Sequence, residues 1–407
     1  MKRFILFVSL VFVGFFSLVC AQSVCDGNRY INEVFTETQS SLSVQFGQAN
    51  TIGGNPYTLI MDIYEPVGDT VASRPLVILA HGGSFIFGNR SEFTTMCKDL
   101  AKRGYVAATI EYRLMDAFVF DSIQIAEEVV MAINDMRAAV RFFKEDAATN
   151  NVYQVDTNMV FVGGTSAGGI TASHLAMMDT TDDVPQYVLD HMEAHGGFEG
   201  NSSANTQHSS NVQGLLNYSG ALLRDHWIDA EDPPFYSAHD ENDPVVPCGY
   251  GTTNAVAFPV FLYGSCEMKE VADTIGVKNQ LHLIPGSSGH VSFMLTDYDT
   301  ILHESVIFLE EIICESTATA IDDDMLADVL DVFPNPISGS FRVRVTAEIT
   351  QYDLAMYSLT GQQVFGQSDL RQSELPVADL AVKAGAYVVV LTDQRSGRRF
   401  HEKVMVR

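Results

Sequence analysis

The stretch that most constrains this chain runs from Met159 to Ala176. Met159-Val160-Phe161-Val162-Gly163 is a short apolar run of strand character, and Ile170-Thr171-Ala172-Ser173-His174-Leu175-Ala176 reads as a helix. Only Gly164-Thr165-Ser166-Ala167-Gly168-Gly169 separates them, so the chain must turn sharply at Ser166. A turn that tight strains the serine backbone, and Gly164 and Gly168 must lack side chains because strand and helix pass close together there. The Ser166 hydroxyl is then lifted clear of the sheet, with the Ala167 amide beside it. The G-x-S-x-G pentapeptide alone says little, because Gly and Ser are common. Its meaning depends on what the rest of the chain brings to it.

The rest of the first three hundred residues alternates. Leu42 to Pro66 reads as a β-hairpin turning at Gly53-Gly54-Asn55-Pro56. Pro75-Leu76-Val77-Ile78-Leu79-Ala80 is apolar throughout, as suits a strand buried on both faces of a parallel sheet. Ser91 can cap a helix running to about Arg103, and a strand follows over Tyr105–Ile110. From Ile125 to Asp146, Val129, Ile133, Met136, Val140 and Phe143 recur at helical spacing on one face. Thr180 to Asn211 is polar and reads as a loop that borders the site or lies in solvent. Further strands are expected at Val212–Tyr218 and Gln280–Pro285, with helices near Met268–Ile275 and over Leu302, Val306, Leu309 and Ile313, stopping near Cys314. This pattern predicts an α/β fold with a mostly parallel central sheet.

Both ends differ from this body. Residues 1–21 read as a signal peptide: Met1-Lys2-Arg3, an apolar run from Phe4 to Leu18, then Val19-Cys20-Ala21 before cleavage ahead of Gln22. A lipoprotein reading through Cys20 is opposed by the bulky Val19. No later stretch is long and apolar enough for a transmembrane anchor. Residues 22–314 then form the main domain and 315–331, with Asp322-Asp323-Asp324, an acidic linker. Residues 332–407 form a small all-β sandwich. With 24 basic against 51 acidic residues the net charge is −27, which repels nucleic acid and anionic membranes. Export permits disulfides. Cys248 and Cys266 are the first choice of pair; Cys25, Cys97 and Cys314 can supply a second. No cysteine spacing suggests a metal site.

Ser166, Asp243 and His290 each follow a predicted strand, so all three belong at the carboxyl edge of the sheet. A serine hydroxyl is a poor nucleophile unless a histidine takes its proton and an acid orients that histidine. His81-Gly82-Gly83-Ser84 also follows a strand. Its Gly83 and Ser84 amides, with that of Ala167, are candidates for stabilising an oxyanion. Asp243 is preferred to Asp240 because it sits in Asp-Pro after the turn. His81 reads as a brace and His174 as structural. His282 lies inside a strand, and His239, which precedes the acid loop, reads as structural. His195-Gly196-Gly197 repeats the letters of the oxyanion loop without a preceding strand.

Leu79-Ala80-His81-Gly82-Gly83-Ser84-Phe85, Glu111-Tyr112-Arg113-Leu114, Gly164–Gly169, Asp243-Pro244-Val245-Val246-Pro247 and Gly289-His290 together resemble the α/β-hydrolase superfamily, in its esterase/lipase branch. The resemblance covers about Leu42 to Cys314. Ser84 stands where hormone-sensitive-lipase-like esterases carry a third Gly, which counts against a preference for tertiary-alcohol esters. Val332-Phe333-Pro334-Asn335-Pro336, Met356 to Val364 and Leu380 to Tyr387 resemble a type A sorting domain of the type IX secretion system of the Bacteroidota. The two resemblances imply a serine esterase that needs no cofactor, is secreted or surface-bound, and meets the secretion machinery through its tail. Its substrate would be a small-molecule or polymer ester. A serine peptidase on the same fold and a catalytically idle adhesion module are the alternatives.

Overall fold

A strand that is apolar on both faces has to be covered on both faces, and the main sheet meets that demand with six parallel strands between two helical layers. The computed structural model describes residues 25, 27–117, 121–254, 260–319, 330–338, 340–345, 349–358, 363–377, 382–394 and 399–407. They form two compact units, one up to Cys314 and one from Glu315 onwards.

The first unit begins with β1 (Thr38–Asn50), β2 (Pro56–Pro66), β3 (Arg74–Ala80), α1 (Thr94–Lys102), β4 (Val106–Ile110) and α2 (Ser122–Ala148). It continues with β5 (Val155–Thr165), α3 (Ala167–Met177), α4 (Gln186–Ala194), β6 (Gly214–Tyr218), β7 (Ala221–Leu222) and β8 (Phe235–Asp240). It ends with β9 (Tyr250–Thr253), β10 (Val260–Gly264), α5 (Ser265–Ile275), β11 (Asn279–Ile284), α6 (Phe293–Thr296) and α7 (Tyr298–Thr319). The sheet order is β1-β2-β4-β3-β5-β6-β8-β11, parallel from β4 onwards, with β2 antiparallel to both its neighbours. Alternate residues of one strand enter opposite cores. Leu76, Ile78, Val160 and Val162 pack with Met136 and Val140 of α2, whereas Val77, Leu79 and Phe161 pack with Leu100 of α1 and Leu309 of α7. This is the doubly covered arrangement that the continuous apolar runs require. A small antiparallel sheet, β7-β10-β9, stands apart.

Several details differ from the sequence reading. The first helix is entered through a 3₁₀ turn capped by Asn89, whose Oδ1 accepts the Ser91 amide; Ser91 lies inside the turn. The segment read as a loop contains α4, which lays Val188 and Met192 against Trp227 and Val130. That helix is short and preceded by Pro185 without a side-chain cap, so it left little signal. α7 continues past Cys314 to Thr319, because no Gly or Pro interrupts it. The expected signal peptide and Asp322-Asp323-Asp324 lie outside the described residues. Disulfides join Cys248 to Cys266 and Cys25 to Cys314, and Cys97 is free and buried. Among the described residues no helix is long and apolar enough to cross a membrane.

The second unit comprises β12 (Leu330–Ser338), β13 (Ser340–Val345), β14 (Tyr352–Ser358), β15 (Gln363–Leu370), β16 (Glu374–Val377), β17 (Gly385–Asp393) and β18 (Arg399–Val406). β12 pairs with β13 over Leu330–Phe333, then with β18 at Ile337, so one strand serves two sheets. Phe341, Val343, Leu354, Val389 and Leu391 fill the core between them, giving a small β-sandwich.

Helix α2 is buried well beyond its apolar face. Asp135 takes the Arg113 guanidinium at 2.8 Å, and Arg141 takes Glu199 at 2.7 Å. Glu128 has no such partner: it is fully buried and neither carboxyl oxygen makes a hydrogen bond. Burial, aided by the nearby Asp135 charge, raises its pKa from 4.5 to about 8. The folded protein therefore holds a proton that the unfolded chain releases between those values, and stability falls as pH rises through that window. Glu128→Gln removes this dependence. Thermal melts should show the variant gaining on the parent from pH 4.5 to 8, with a constant difference below 4.5.

Candidate active site

The turn after β5 delivers what its sequence demands. Ser166 has φ 52° and ψ −115°, a conformation that non-glycine residues rarely adopt. Its amide donates to the Tyr218 carbonyl at 2.8 Å, which holds the turn to β6. A Cβ on Gly164 would come within 2.5 Å of the Ala80 carbonyl oxygen, and one on Gly168 within 2.1 Å. No side chain fits at either position, so the strained serine is fixed by close packing on β3.

Two loops bring the partners. Asp243 lies just beyond β8 and His290 beyond β11. His290 Nε2 is 2.8 Å from Ser166 Oγ, and His290 Nδ1 is 2.7 Å from Asp243 Oδ2. A carboxylate can only accept, so Nδ1 carries the proton and Nε2 accepts from the Ser166 hydroxyl. The other Asp243 oxygen, Oδ1, accepts the Val245 and Val246 amides at 2.8 and 3.1 Å. Asp243 is buried, and His290 keeps 22% of its side chain exposed towards the cleft. Val291, a β-branched residue at φ 55°, is a second strained position beside the histidine.

The loop after β3 supplies the third part. Gly83, Ser84 and Phe85 have φ of 116°, 55° and 61°, so the chain coils back and the Ile86 and Phe87 amides both donate to the Gly83 carbonyl. Among the described residues the amides of Gly83, Ser84 and Ala167 have no acceptor. Gly83, Ser84, Ser166, His290 and Phe87 line one open cleft of about 500 Å³. His81 stays in the core, its ring stacked 4.4 Å from that of Tyr112, and burial lowers its pKa.

The rival residues fall elsewhere. Asp240 accepts Ser287 Oγ at 2.6 Å and the Ser292 amide at 2.9 Å, so it braces the loop that carries His290. His195 bonds Glu127 at 2.8 Å and His282 bonds Glu304 at 3.0 Å. His174 donates to the Ile170 carbonyl, and burial pulls its pKa down to about 4. His239 is buried behind Asp243: Nε2–H donates to the Val246 carbonyl at 3.0 Å, and Nδ1 accepts from Ser265 at 2.8 Å. The Cys248–Cys266 bridge closes the same loop.

Sequence reasoning missed Glu92. Its Oε2 accepts the Gly82 amide at 3.1 Å and its Oε1 accepts the Thr165 hydroxyl, so one carboxylate ties the Gly82-Gly83 loop to the turn at Ser166. The nearest available signal was its place in the helical entry just after His81-Gly82-Gly83, which does not reveal contacts with residue 165.

Residues 61–223 match the model of the BD-FAE family, and residues 331–407 match that of the secretion system C-terminal sorting domain. The first unit is an esterase-like α/β-hydrolase domain. The tail is a type IX sorting domain, which marks the chain for export to the cell surface or beyond. Among solved structures, the chain is similar to a propionate-bound esterase of Thermogutta terrifontis, at 20% identity and TM-score 0.48, covering 66% of this chain and 93% of that one. It is similar to a truncated carbohydrate esterase from gut microbiota at 17% identity and TM-score 0.46, covering 70% and 99%. It is also similar to a bifunctional GH43-CE protein of Bacteroides eggerthii at 21% identity and TM-score 0.49, covering 67% and 35%.

Gly83 generates a direct prediction. A Cβ there would lie 1.9 Å from the Phe87 carbonyl oxygen, at a φ that disfavours any side chain. In urea unfolding, Gly83→Ala should lose about 2 to 4 kcal/mol of stability.

Proposed function

We propose that the hydrolase domain cleaves carboxylic esters through Ser166, His290 and Asp243. The observation that carries this reading is the unbroken contact from Ser166 Oγ through His290 to Asp243, in a cleft that Gly83 and Ser84 also line. Ser166 Oγ attacks the ester carbonyl carbon while its proton passes to His290 Nε2. Asp243 keeps the imidazole in the right tautomer and stabilises the cation that forms. The carbonyl oxygen becomes an oxyanion held by the Gly83, Ser84 and Ala167 amides. Losing one such donor typically costs on the order of 3 kcal/mol. His290 Nε2–H then protonates the departing alkoxide, leaving an acyl group on Ser166. Water enters through the open cleft, loses a proton to His290 Nε2 and attacks the acyl carbon. The tetrahedral adduct collapses, the acid leaves, and Ser166 recovers its proton. No step needs a metal or an organic cofactor. The sorting tail accounts for the partner on the export side, and the ester, small or polymeric, is the partner at the cleft.

Ser166→Ala should fold normally and lose roughly 10⁴-fold or more in kcat on a short p-nitrophenyl ester. A purified variant working at the parent rate would remove the serine from the mechanism. Glu92 acts through the loops it joins. Glu92→Ala should lower kcat by about 10- to 100-fold with KM nearly unchanged, and weaken a trifluoromethyl ketone inhibitor by a similar factor. A loss confined to thermal stability would mark Glu92 as merely structural.

A further inference from the structure

The open cleft over Ser166 adjoins a second cavity of about 280 Å³. Ser84 and Asn254 line the cleft, and their chain neighbours Phe85 and Thr253 line the cavity. Ile170, whose amide donates to the Ser166 carbonyl at 2.8 Å, forms part of its wall. The cavity therefore starts one residue, or one helical turn, from the groups that react.

Its walls are largely apolar, with Phe85, Ile133, Leu223, Trp227 and Phe261 among them. His174 also borders it but is neutral, with both ring nitrogens bonded to backbone. Among the described residues that line it, Arg224 is the one charged side chain.

Acidic residues outnumber basic ones by 51 to 24, and the buried arginines Arg74, Arg113 and Arg141 each use a carboxylate. In the first unit Arg29, Arg74, Arg90, Arg103, Arg113 and Arg141 each pair with a carboxylate, whereas Arg137 lies over the Phe198 ring and donates to its carbonyl. Arg224 pairs with no carboxylate among the described residues; its guanidinium makes one hydrogen bond, from Nη1 to the carbonyl of its neighbour Leu223 at 2.9 Å. A guanidinium with free donors beside an apolar wall matches a carboxylate in charge and geometry. A net charge of −27 repels anionic ligands at long range, so an anionic group needs such a local cation to bind.

We propose that this cavity is a specificity subsite for an apolar group of the substrate that bears a carboxylate, which Arg224 pairs. The inference rests on the ester-cleaving reading of Ser166 and narrows its substrate class. The geometry allows the carboxylate on either side of the ester bond.

The test compares the full chain with Arg224→Gln on two matched pairs. One pair places the charge on the acyl side: p-nitrophenyl hydrogen glutarate against p-nitrophenyl valerate. The other places it on the alcohol side: 4-(butyryloxymethyl)benzoate against 4-methylbenzyl butyrate. In one pair the parent should favour the acidic member by about tenfold in kcat/KM, the size of a charged hydrogen bond. Arg224→Gln should abolish that preference through KM and leave the neutral member unchanged. The preference should also shrink in high salt. Neutral esters turned over with no acidic preference in either pair, or an equal loss on both members in Arg224→Gln, would overturn the subsite while leaving the esterase reading intact. If no ester is cleaved in a Ser166-dependent way, both fall.

Discussion

Everything at the cleft depends on how closely α3 approaches β3 behind Ser166. The Ala80 carbonyl occupies the space where side chains at 164 and 168 would go. That contact leaves the chain one route from β5 into α3, through a serine at positive φ. The loop after β3 comes up against the same turn, and its Gly82, Gly83 and Ser84 line one cleft with Ser166. The strain at Ser84, Phe85, Ser166 and Val291 is held by backbone hydrogen bonds and by packing on a sheet buried on both faces.

Around that turn, the loops are joined by carboxylates that each do a different job. Asp243 faces His290, Asp240 holds the loop on which His290 sits, and Glu92 joins the glycine loop to the serine turn. In an acidic chain, carboxylates are the abundant means of gathering donors from distant segments. Arg224, at the edge of the apolar cavity, has no carboxylate against it among the described residues. The acid loop is also pinned from behind by neutral His239 and by the Cys248–Cys266 bridge, which the export indicated by the sorting tail allows to form.

Much of this was legible because it obeys short-range rules. Continuous apolar runs such as Leu76–Leu79 announced a sheet covered on both faces, and glycine spacing announced the turn at 166. Positions 243 and 290 were readable as partners because each follows a strand, and parallel strands deliver their following loops to one edge. What was not legible depends on long-range pairing. Glu92 meets Thr165 across 73 residues, and Cys25 meets Cys314 across 289. Nothing local marks either. Helix α4 escaped notice because it is only nine residues long and its apolar residues do not mark one face: Val188 and Met192 are buried while Leu189 is exposed.

The central claim is that the hydroxyl at 166 is made nucleophilic by the imidazole at 290. A fluorophosphonate followed by intact-mass and peptide mass spectrometry tests it without choosing a substrate. The account predicts a single adduct, on Ser166, formed rapidly by the parent chain and slowed by orders of magnitude in His290→Gln. An adduct on another residue, or equal labelling of Ser166 without the imidazole, would contradict it.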